Sequence, residues 1–456
     1  MKIIGSSAKR VDAFDKVTGK AKYTPDTVPA HALYAKVVHS TIANGWVRSF
    51  DLSEAWEVEG VVDIVTCFDV PDIQFPTAGH PWSTVPQYQD IADRKLLNER
   101  VRVYGDDVAA VVAVSQLAAD LAASKIVVTY EALPPMLSVE EALAEGASVL
   151  HEEYPDNILK ETSYEIGDFA TAITEKGLTK ISGSYQTPVV SHCHIEPANS
   201  WAYMEAGKIV VVAATQIPHL VRRMVAQSLG LGFGDVRVIK PYLGGGFGNR
   251  QDALTEPLNA FLTTRVGGRP VVLAYTREET FYATRTRHAM DFEMTTYVRK
   301  DGSFAAREIS VYSNQGGYAS HAHGLAANAA NSFRMLYPTG AIKGVARTVY
   351  TNLPTAGAMR AYGIPQAMFA LESHIDDICR EMDLDPIQIR KQNMMPLGYV
   401  DGPTTITCHS SGLEECIDRG VAYLDYDRKR AEYAKQTGMI RRGVGMSIFC
   451  YKSGVY

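Results

Sequence analysis

Short apolar runs rich in β-branched residues recur through the first third of the chain, and their length and alternation predict strands. A helical period appears between two of them, across residues 116–124. The predicted strands cover residues 33–38, 60–67, 108–114 and 126–130. Pro134-Pro135 follows the last of these, and we place the first domain boundary near residue 150. This mixture of strand and helix patterns predicts an α+β fold.

The middle of the chain continues the alternation of strand and helix patterns. Helices are predicted over residues 219–229, 252–266 and 365–382, and Asp385-Pro386 predicts the start of another. The Gly/Ala-rich stretch around His321 is predicted to be a loop. The further predicted strands cover residues 179–185, 209–214, 236–239, 271–275, 290–297 and 305–312.

Residues 443–451 alternate apolar with small or polar positions, which predicts one further strand that has just begun. A strand edge without a partner is an aggregation risk. We therefore expect either that another polypeptide completes this domain or that the chain is the N-terminal part of a longer one.

Composition narrows the classes of function. With 456 residues, 46% of them hydrophobic and 21% charged, the chain has the make-up of a globular protein of two or three domains. A net charge of −6 disfavours binding to nucleic acid. Six cysteines without a C-x-x-C pair fit neither a zinc ribbon nor an iron–sulfur ligand set. Reduced thiols, no signal-peptide core and no long apolar stretch predict a soluble, cytoplasmic protein.

A glycine-rich run, Leu243-Gly244-Gly245-Gly246-Phe247-Gly248-Asn249-Arg250, lies between a predicted strand and a predicted helix. Glycines allow positive φ and leave no side chain to keep a ligand away from the backbone. Such a loop can therefore offer its backbone N–H groups to an anionic or oxo ligand. A plain tight turn explains the same residues equally well. The run lacks the Lys-Ser/Thr ending of a phosphate loop and the third glycine of a dinucleotide fingerprint.

Three other groups of residues could carry chemistry. His192, His194 and Glu196 would share one face of a strand, where they could bind zinc or non-haem iron, or serve as hydrogen-bonded structural residues. Gln216, at the end of a predicted strand, offers an amide that both donates and accepts. Met359-Arg360-Ala361-Tyr362-Gly363 combines a guanidinium and an aromatic ring just before a helix. Arg285, Arg287 and His288 form a cationic cluster that we expect at a salt-bridged surface.

Taken together and in order, these motifs resemble the molybdenum-binding large subunit of the xanthine oxidase family of molybdenum hydroxylases, most closely its bacterial xanthine dehydrogenase type. The resemblance implies an α/β-hammerhead domain at 1–150, a first molybdopterin-binding domain at 151–400, and the start of a second at 401–456 that is truncated or completed by a partner chain. The motifs that carry it are Lys16-Val17-Thr18-Gly19, His194-Ile195-Glu196-Pro197, Thr215-Gln216, Gly244 to Gly248, Met359 to Gly363, Asp385-Pro386 and Arg390 to Asn393.

The resemblance also implies roles for individual residues. Gln216 would be the catalytic amide beside the molybdenum oxo group, with Arg360 contributing backbone contacts. Gly246, Phe247 and Gly248 would bind the molybdopterin, so that Gln216, Phe247 and Arg360 lie in the vicinity of the metal, which the pterin dithiolene ligates. Tyr362 would stack on a heterocyclic substrate, and Gln251 would face it.

The chain departs from the family pattern at two substrate positions. Gln251 replaces a glutamate that orients the purine in animal enzymes, and Asn328 replaces an arginine. The pocket therefore keeps hydrogen-bonding groups but loses both charges.

The resemblance implies oxidation of a purine or related N-heterocycle with water as the oxygen source, by a heteromeric oxidoreductase of purine metabolism. Iron–sulfur and FAD centres would lie on partner subunits, and the pterin could carry a cytosine dinucleotide. The general-base glutamate of the family lies beyond this chain. We therefore expect the chain to be the N-terminal part of a divided or truncated molybdenum subunit. A non-haem metal enzyme using His192, His194 and Glu196, and an inactive assembly fragment, are the alternatives.

Overall fold

Antiparallel strands around a ten-residue helix form the N-terminal region in the computed structural model, which describes residues 4–78, 89–403 and 405–451. The predicted strands and the helix of this region are confirmed to within one or two residues at each end. Its elements are α1 (Ala13–Val17), β1 (Leu33–His39), β2 (Gly45–Asp51), α2 (Ser53–Trp56), β3 (Val61–Thr66), β4 (Arg100–Val101), β5 (Asp107–Ala113), α3 (Gln116–Lys125), β6 (Val127–Ala132) and α4 (Val139–Ala142).

The remainder of the chain alternates strands and helices, which confirms the α+β class. Its first elements are β7 (Ile158–Ile166), α5 (Phe169–Ala172), β8 (Thr179–Thr187), β9 (Val190–Ser191), β10 (Asn199–Glu205), β11 (Lys208–Ala213), α6 (Pro218–Leu229), β12 (Val236–Ile239), α7 (Glu256–Arg265), β13 (Val271–Ala274) and α8 (Arg277–Tyr282). They are followed by β14 (Thr286–Arg287), β15 (Met290–Val298), β16 (Phe304–Gly316), α9 (Ala322–Leu336), β17 (Ile342–Tyr350), α10 (Ile364–Met382), α11 (Pro386–Asn393), α12 (Leu413–Leu424) and α13 (Tyr426–Tyr433).

Two sheets organise the molecule. The larger has the order β12-β11-β10-β13-β1-β5-β3, so that strands from the first third of the chain join strands from the middle. The junction is the parallel pair β1–β13, with Ala35 opposite Leu273. The second sheet has the order β7-β17-β16-β15-β8 and is covered by α9 and α10. Among the described residues, none of the helices has the length and apolar composition needed to cross a membrane.

The ends of several helices follow from local side chains. Ser115 accepts a hydrogen bond from the N–H of Ala118 and caps α3. Asp385 accepts from two N–H groups at the start of α11, as its position before Pro386 predicts. The helix predicted over 252–266 begins only at Glu256, because the chain first makes a short 3-10 turn, Asn249–Gln251.

Two predictions about loops and strands are wrong. The Gly/Ala-rich stretch after His321 is the 15-residue helix α9, because its small residues pack closely against the sheet and α10. Residues 443–451 are extended but form no strand ladder within the described part of the chain. Exposed and less exposed side chains do alternate along this segment. Ile448 is buried, and its N–H donates to Oε2 of Glu372 at 2.9 Å.

Candidate functional site

The glycine-rich loop between β12 and α7 contains three residues with positive φ. These are Gly245 at +110°, Phe247 at +54° and Gly248 at +111°. A side chain at Gly248 would place its Cβ 2.4 Å from the carbonyl oxygen of Ala358, so both conformation and space require glycine there. Phe247 has no such freedom, and its backbone conformation costs about 1 to 3 kcal/mol. Strain of this kind is concentrated at functional sites.

Three successive backbone N–H groups of this loop are without protein acceptors. Those of Gly245, Gly246 and Phe247 have no hydrogen-bond partner among the described residues, although Gly246 is buried. Buried backbone N–H groups in folded proteins are almost always paired. Adjacent N–H groups in a turn make a concave site for an anion or oxo group. The loop therefore has the donor set that a cofactor with oxo or phosphate oxygens requires.

Gln216 lies directly under this loop. Its backbone N–H donates to the carbonyl of Arg250 at 3.0 Å, which fixes the end of the segment after β11. Its side-chain Oε1 accepts from the N–H of Gly248 at 3.0 Å. The amide oxygen is thus occupied, and within the described residues the Nε2 group has no acceptor. Gln216 adds a neutral donor to the three N–H groups of the loop.

The motif around His194 supports the other end of the loop. Oε2 of Glu196 accepts from the N–H of Gly244 at 2.7 Å, and the Glu196 N–H donates to the Gly244 carbonyl at 3.1 Å. Nδ1 of His194 lies 2.6 Å from the Glu196 carbonyl, and Nε2 of His192 lies 2.8 Å from that of Ala358. The side chains of His192, His194 and Glu196 therefore each bind a backbone group and help to hold it in position.

The prediction that His192, His194 and Glu196 share one face of a strand is wrong. Strand β9 ends before them, and Cys193 has φ +49°, which breaks the alternation. Across the described ranges, no three His, Cys, Asp or Glu side chains are arranged to hold a metal ion. The three side chains point to different backbone partners, so the non-haem metal alternative loses its ligand set.

Both histidines are neutral at physiological pH. Burial, with a smaller effect of the Arg250 guanidinium, lowers the pKa of His194 to about 4. Burial also lowers the pKa of His192. Nε2 of His194 is buried without a partner in the described part of the chain, and a side chain on Gly245 would place its Cβ 3.0 Å from the Cβ of His194. This orphaned nitrogen is a second polar group at the loop that fits a bound cofactor.

The segment at Arg360 packs against the glycine-rich loop through its backbone. The N–H of Arg360 donates to the carbonyl of Phe247 at 2.8 Å. The guanidinium of Arg287 donates to the Arg360 carbonyl at 2.7 Å. The Arg360 side chain itself is exposed. The structure thus joins Arg360 to the loop by its main chain rather than by its charge.

Tyr362 and Gln251 meet through His321. The Tyr362 hydroxyl donates to the His321 carbonyl at 2.8 Å, and Nε2 of His321 lies 3.3 Å from the Gln251 carbonyl. The rings of Tyr362 and His321 are 5.9 Å apart at 83°. Asn328, on α9, donates from Nδ2 to the Tyr362 carbonyl at 2.7 Å. Burial raises the pKa of Tyr362, so its hydroxyl stays protonated.

A buried polar network beneath these residues is absent from the sequence interpretation. Asp252 accepts from Arg285 at 3.2 Å, from Ser320 at 2.9 Å and from Thr77 at 3.0 Å. Arg285 and His288 are buried, so the prediction of a salt-bridged surface cluster is wrong for them. No motif marks Asp252, and its partners come from three distant parts of the chain. Only its position after Gln251 could have drawn attention to it.

The residues above make one continuous site. The unpaired N–H donors of the glycine-rich loop lie at its centre, together with Gly248, Gln216 and the Arg360 backbone. Gln251 and Tyr362 lie beside them. The site offers hydrogen-bond donors, and among the residues that the structure describes no group of three His, Cys, Asp or Glu side chains is placed to ligate a metal ion there. It therefore suits a preassembled metal cofactor, bound through its oxygens, better than a bare metal ion.

Comparison with known proteins identifies two family domains in the chain. Residues 150–394 match the model of the molybdopterin cofactor-binding domain. Residues 18–134 match the α/β hammerhead domain of aldehyde oxidase and xanthine dehydrogenase.

Relatives and solved structures agree with these matches. The putative xanthine dehydrogenase molybdenum-binding subunit XdhA of Escherichia coli (strain K12) is 45% identical over 448 residues, which are 98% of this chain and 59% of the relative. The nicotinate dehydrogenase large molybdopterin subunit of Eubacterium barkeri is 29% identical over 94% of this chain and 99% of the relative. Aldehyde oxidoreductase from Desulfovibrio gigas has a TM-score of 0.86 at 29% identity, over 95% of this chain and 48% of that one.

The chain thus spans less than two thirds of XdhA and about half of the aldehyde oxidoreductase. Within that span it contains the matched hammerhead domain, the matched cofactor-binding domain and a loop lined by hydrogen-bond donors. The chain belongs to the molybdopterin-binding family that includes the xanthine dehydrogenases and aldehyde oxidoreductases.

Proposed function

We propose that this chain is the molybdopterin-binding component of an assembled hydroxylase that oxidises a purine or related N-heterocycle. The observation that supports it most directly is the row of unpaired N–H groups at Gly245, Gly246 and Phe247 beside the Gln216 amide. When bound, the cofactor supplies the redox chemistry and an oxygen atom derived from water.

The chain's own residues hold and orient the reacting groups. Gln216 would donate from Nε2 to an oxygen of the cofactor, while Gly246, Phe247 and Gly248 would form the wall of its binding site. The Arg360 backbone keeps Phe247 in its strained conformation through the hydrogen bond to the Phe247 carbonyl. Such prearranged donors stabilise charge that develops during reaction, and they need no reorganisation.

Gln251 and Tyr362 form the substrate side of the site. The Tyr362 ring stacks on a flat heterocycle, and Gln251 offers an uncharged amide. Asn328 holds the Tyr362 backbone and adds no charge. A neutral lining favours a neutral heterocycle over a carboxylated one, because a buried unpaired carboxylate is costly. The xanthine dehydrogenase name of the relative that is 45% identical agrees with a purine.

The assembly needs partners. A 2Fe–2S subunit and an FAD-binding subunit would carry electrons away, and a further chain or segment would supply the rest of the molybdenum domain with its general-base glutamate. We assign residues 1–150 to the hammerhead domain, 151–400 to the first cofactor-binding domain and 401–456 to the start of the second. Six unpaired cysteines favour a reducing, cytoplasmic location.

The test is to coexpress the chain with these partners in a host that makes molybdopterin. We expect molybdenum in the purified assembly and dye reduction that depends on xanthine or hypoxanthine. Gln216→Ala should lower kcat about 100-fold while molybdenum content is retained, because one prearranged donor is lost. The exposed Gln388→Ala on α11 is the matched control. A fully assembled complex without molybdenum, or with molybdenum but no heterocycle oxidation, would favour the inactive assembly fragment instead.

A further inference from the structure

Exposed cations are concentrated at one edge of the seven-stranded sheet, around strand β12. We call this set the basic edge. It lines two clefts. The smaller, of about 520 Å³, lies on the face of β12 that α6 covers, and the larger, of about 1000 Å³, lies on the opposite face. Lys240 borders both clefts. The basic edge consists of Lys20, Lys22, Lys208, Arg222, Arg237 and Lys240, all exposed.

These cations are not neutralised by the protein. Within the described residues, none of the six has a carboxylate at ion-pair distance, whereas exposed cations elsewhere do, for example Arg299 with Glu175 at 2.6 Å and Arg428 with Glu432 at 2.8 Å. Asp12 is the acidic residue in the wall of the larger cleft, and it already pairs with Arg10 and Lys16. An excess of positive charge here contrasts with the net charge of −6 for the whole chain.

Protection of a free sheet edge explains only part of this pattern. Lysine on an edge strand prevents aggregation, and Arg237 and Lys240 at β12 fit that role. Lys22 comes from the N-terminal segment, Lys208 begins β11, and Arg222 lies on α6. Four separate parts of the chain therefore bring cations to the same edge, which edge protection does not require.

Aromatic and apolar side chains lie between the cations. Trp201 and Tyr203 stack with ring centroids 5.2 Å apart at 19° in the wall of the larger cleft. Phe233, in the smaller cleft, is 47% exposed. Tryptophan, tyrosine and arginine are the side chains that most often contribute large binding energies at protein interfaces. The larger cleft extends to Leu243, the first residue of the glycine-rich run.

We infer that the basic edge is the docking surface for an acidic face of the electron-accepting subunit of the assembly. This inference rests on the proposed function. A protein surface can cover both faces of β12 together, whereas a single small anion would fill one cleft and leave the other cations exposed. Docking here would place the partner next to the glycine-rich loop. Because electron transfer is faster over shorter distances, this position suits an electron-accepting subunit. Opposite charges across the contact increase the association rate and orient the partner.

The experiment uses the molybdenum-loaded assembly and measures how tightly it holds its 2Fe–2S subunit. The variant Lys22→Glu/Lys240→Glu reverses two charges of the basic edge, and Lys176→Glu/Lys180→Glu makes the same change at exposed residues of another region. Affinity for the purified 2Fe–2S subunit is measured at about 50 and about 300 mM NaCl. We expect the reversal to weaken binding about tenfold or more at low salt and to flatten its salt dependence. The control should stay within about twofold of the unchanged chain.

Circular dichroism and molybdenum content show that each variant folds. Equal affinity and equal salt dependence for the unchanged chain and the basic-edge variant would overturn the inference while heterocycle oxidation still supports the proposed function. Binding of pyrophosphate to the assembly is measured by calorimetry as well. Loss of pyrophosphate binding in the basic-edge variant, with unchanged affinity for the 2Fe–2S subunit, would also overturn the inference, in favour of a small-anion site. An assembly that binds its subunit through the basic edge but oxidises no heterocycle would contradict the proposed function alone.

Discussion

Glu196 shows how one residue connects two motifs that are 48 positions apart in the chain. Its carboxylate and its backbone N–H both bind Gly244, and a side chain on Gly244 would place its Cβ 2.5 Å from the Glu196 Cβ. His194 in turn binds the Glu196 carbonyl. The geometry of the loop thus depends on residues whose chemistry suggests metal binding. In the structure, Glu196 instead holds the backbone of the glycine-rich loop in place, and His194 holds that of Glu196.

The first prediction concerns this contact. Glu196→Gln removes the charge from the hydrogen bond to the Gly244 N–H but keeps the size of the side chain. We expect a loss of about 1 to 2 kcal/mol in the free energy of unfolding and a lower molybdenum content per chain. Urea denaturation and metal analysis measure the two effects. Glu165→Gln, at an exposed residue of β7, is the control. Unchanged molybdenum content in Glu196→Gln would contradict the role in positioning the loop.

The second prediction separates the ring of Tyr362 from its hydroxyl. Tyr362→Phe loses only the hydrogen bond to the His321 carbonyl, so kcat/KM for the heterocycle should fall by less than about threefold. Tyr362→Ala also loses the stacking surface and should lower kcat/KM about tenfold or more. Steady-state kinetics on the assembled enzyme measure both. Similar losses in the two variants would mean that the hydroxyl, rather than the ring, contacts substrate.

At the scale of elements, helices α9 and α10 bury the apolar face of the five-stranded sheet. The small residues of α9 let it approach the sheet closely, which places Asn328 against the Tyr362 backbone. The extended segment after α13 covers the same core, and Val444, Met446, Ile448 and Cys450 pack into it. Packing rather than strand pairing therefore holds this segment.

The third prediction tests the packing of that segment. Ile448 is 5% exposed and Phe449 is 70% exposed, although they are neighbours. Ile448→Ala should lower the free energy of unfolding by about 2 to 4 kcal/mol, because it leaves a cavity in the core. Phe449→Ala should change it by less than about 0.5 kcal/mol. Chemical denaturation of both variants gives the comparison. Equal effects would show that the segment is not docked on the core.

At the scale of the whole molecule, one sheet crosses the boundary between the hammerhead and cofactor-binding regions. Strand β1 pairs with β5 on one side and with β13 on the other. Buried charges join the same regions: His39 on β1 lies 3.0 Å from Asp107 on β5 and 3.4 Å from Glu279 on α8. Lys36 also binds Glu279, at 2.6 Å. The two regions are therefore expected to unfold together.

The fourth prediction is a pH dependence of stability that arises from His39. Burial opposes its protonation, but hydrogen bonds to Asp107 and Glu279 outweigh this and raise the pKa of His39 from 6.5 to about 9. Arg94, Lys36, Tyr275 and Tyr282 are the other titratable groups around it. Because the folded-state pKa is the higher one, this stabilisation is complete below about pH 6.5 and is lost as the pH rises through about 9.

Urea denaturation between pH 6 and pH 10 measures this effect, with a loss on the order of 3 kcal/mol expected from the shift in pKa. His39→Gln is less stable at pH 6 but should lose much less stability towards pH 10. His31→Gln, at an exposed residue before β1, is the control and should follow the unchanged chain. A parallel pH dependence in His39→Gln would assign the effect to other groups.

The sequence by itself determined the fold class, most strands and helices, and the family, because these depend on local periodicity and on short motifs in a fixed order. It also identified Gln216, the glycine-rich loop and the Arg360 segment as candidates. It did not predict α9, since small residues carry a weak helical pattern, or that residues 443–451 lack a strand partner.

Only the tertiary structure decided what these candidates do together. Whether His194 and Glu196 bind a metal or a backbone depends on where their side chains point, and the positive φ of Cys193 sets that. Likewise, what distinguishes the loop from a plain turn is that three of its N–H groups have no partner among the described residues. Hydrogen-bond partners lie far apart in the chain, and local sequence patterns hold no information about which distant groups meet.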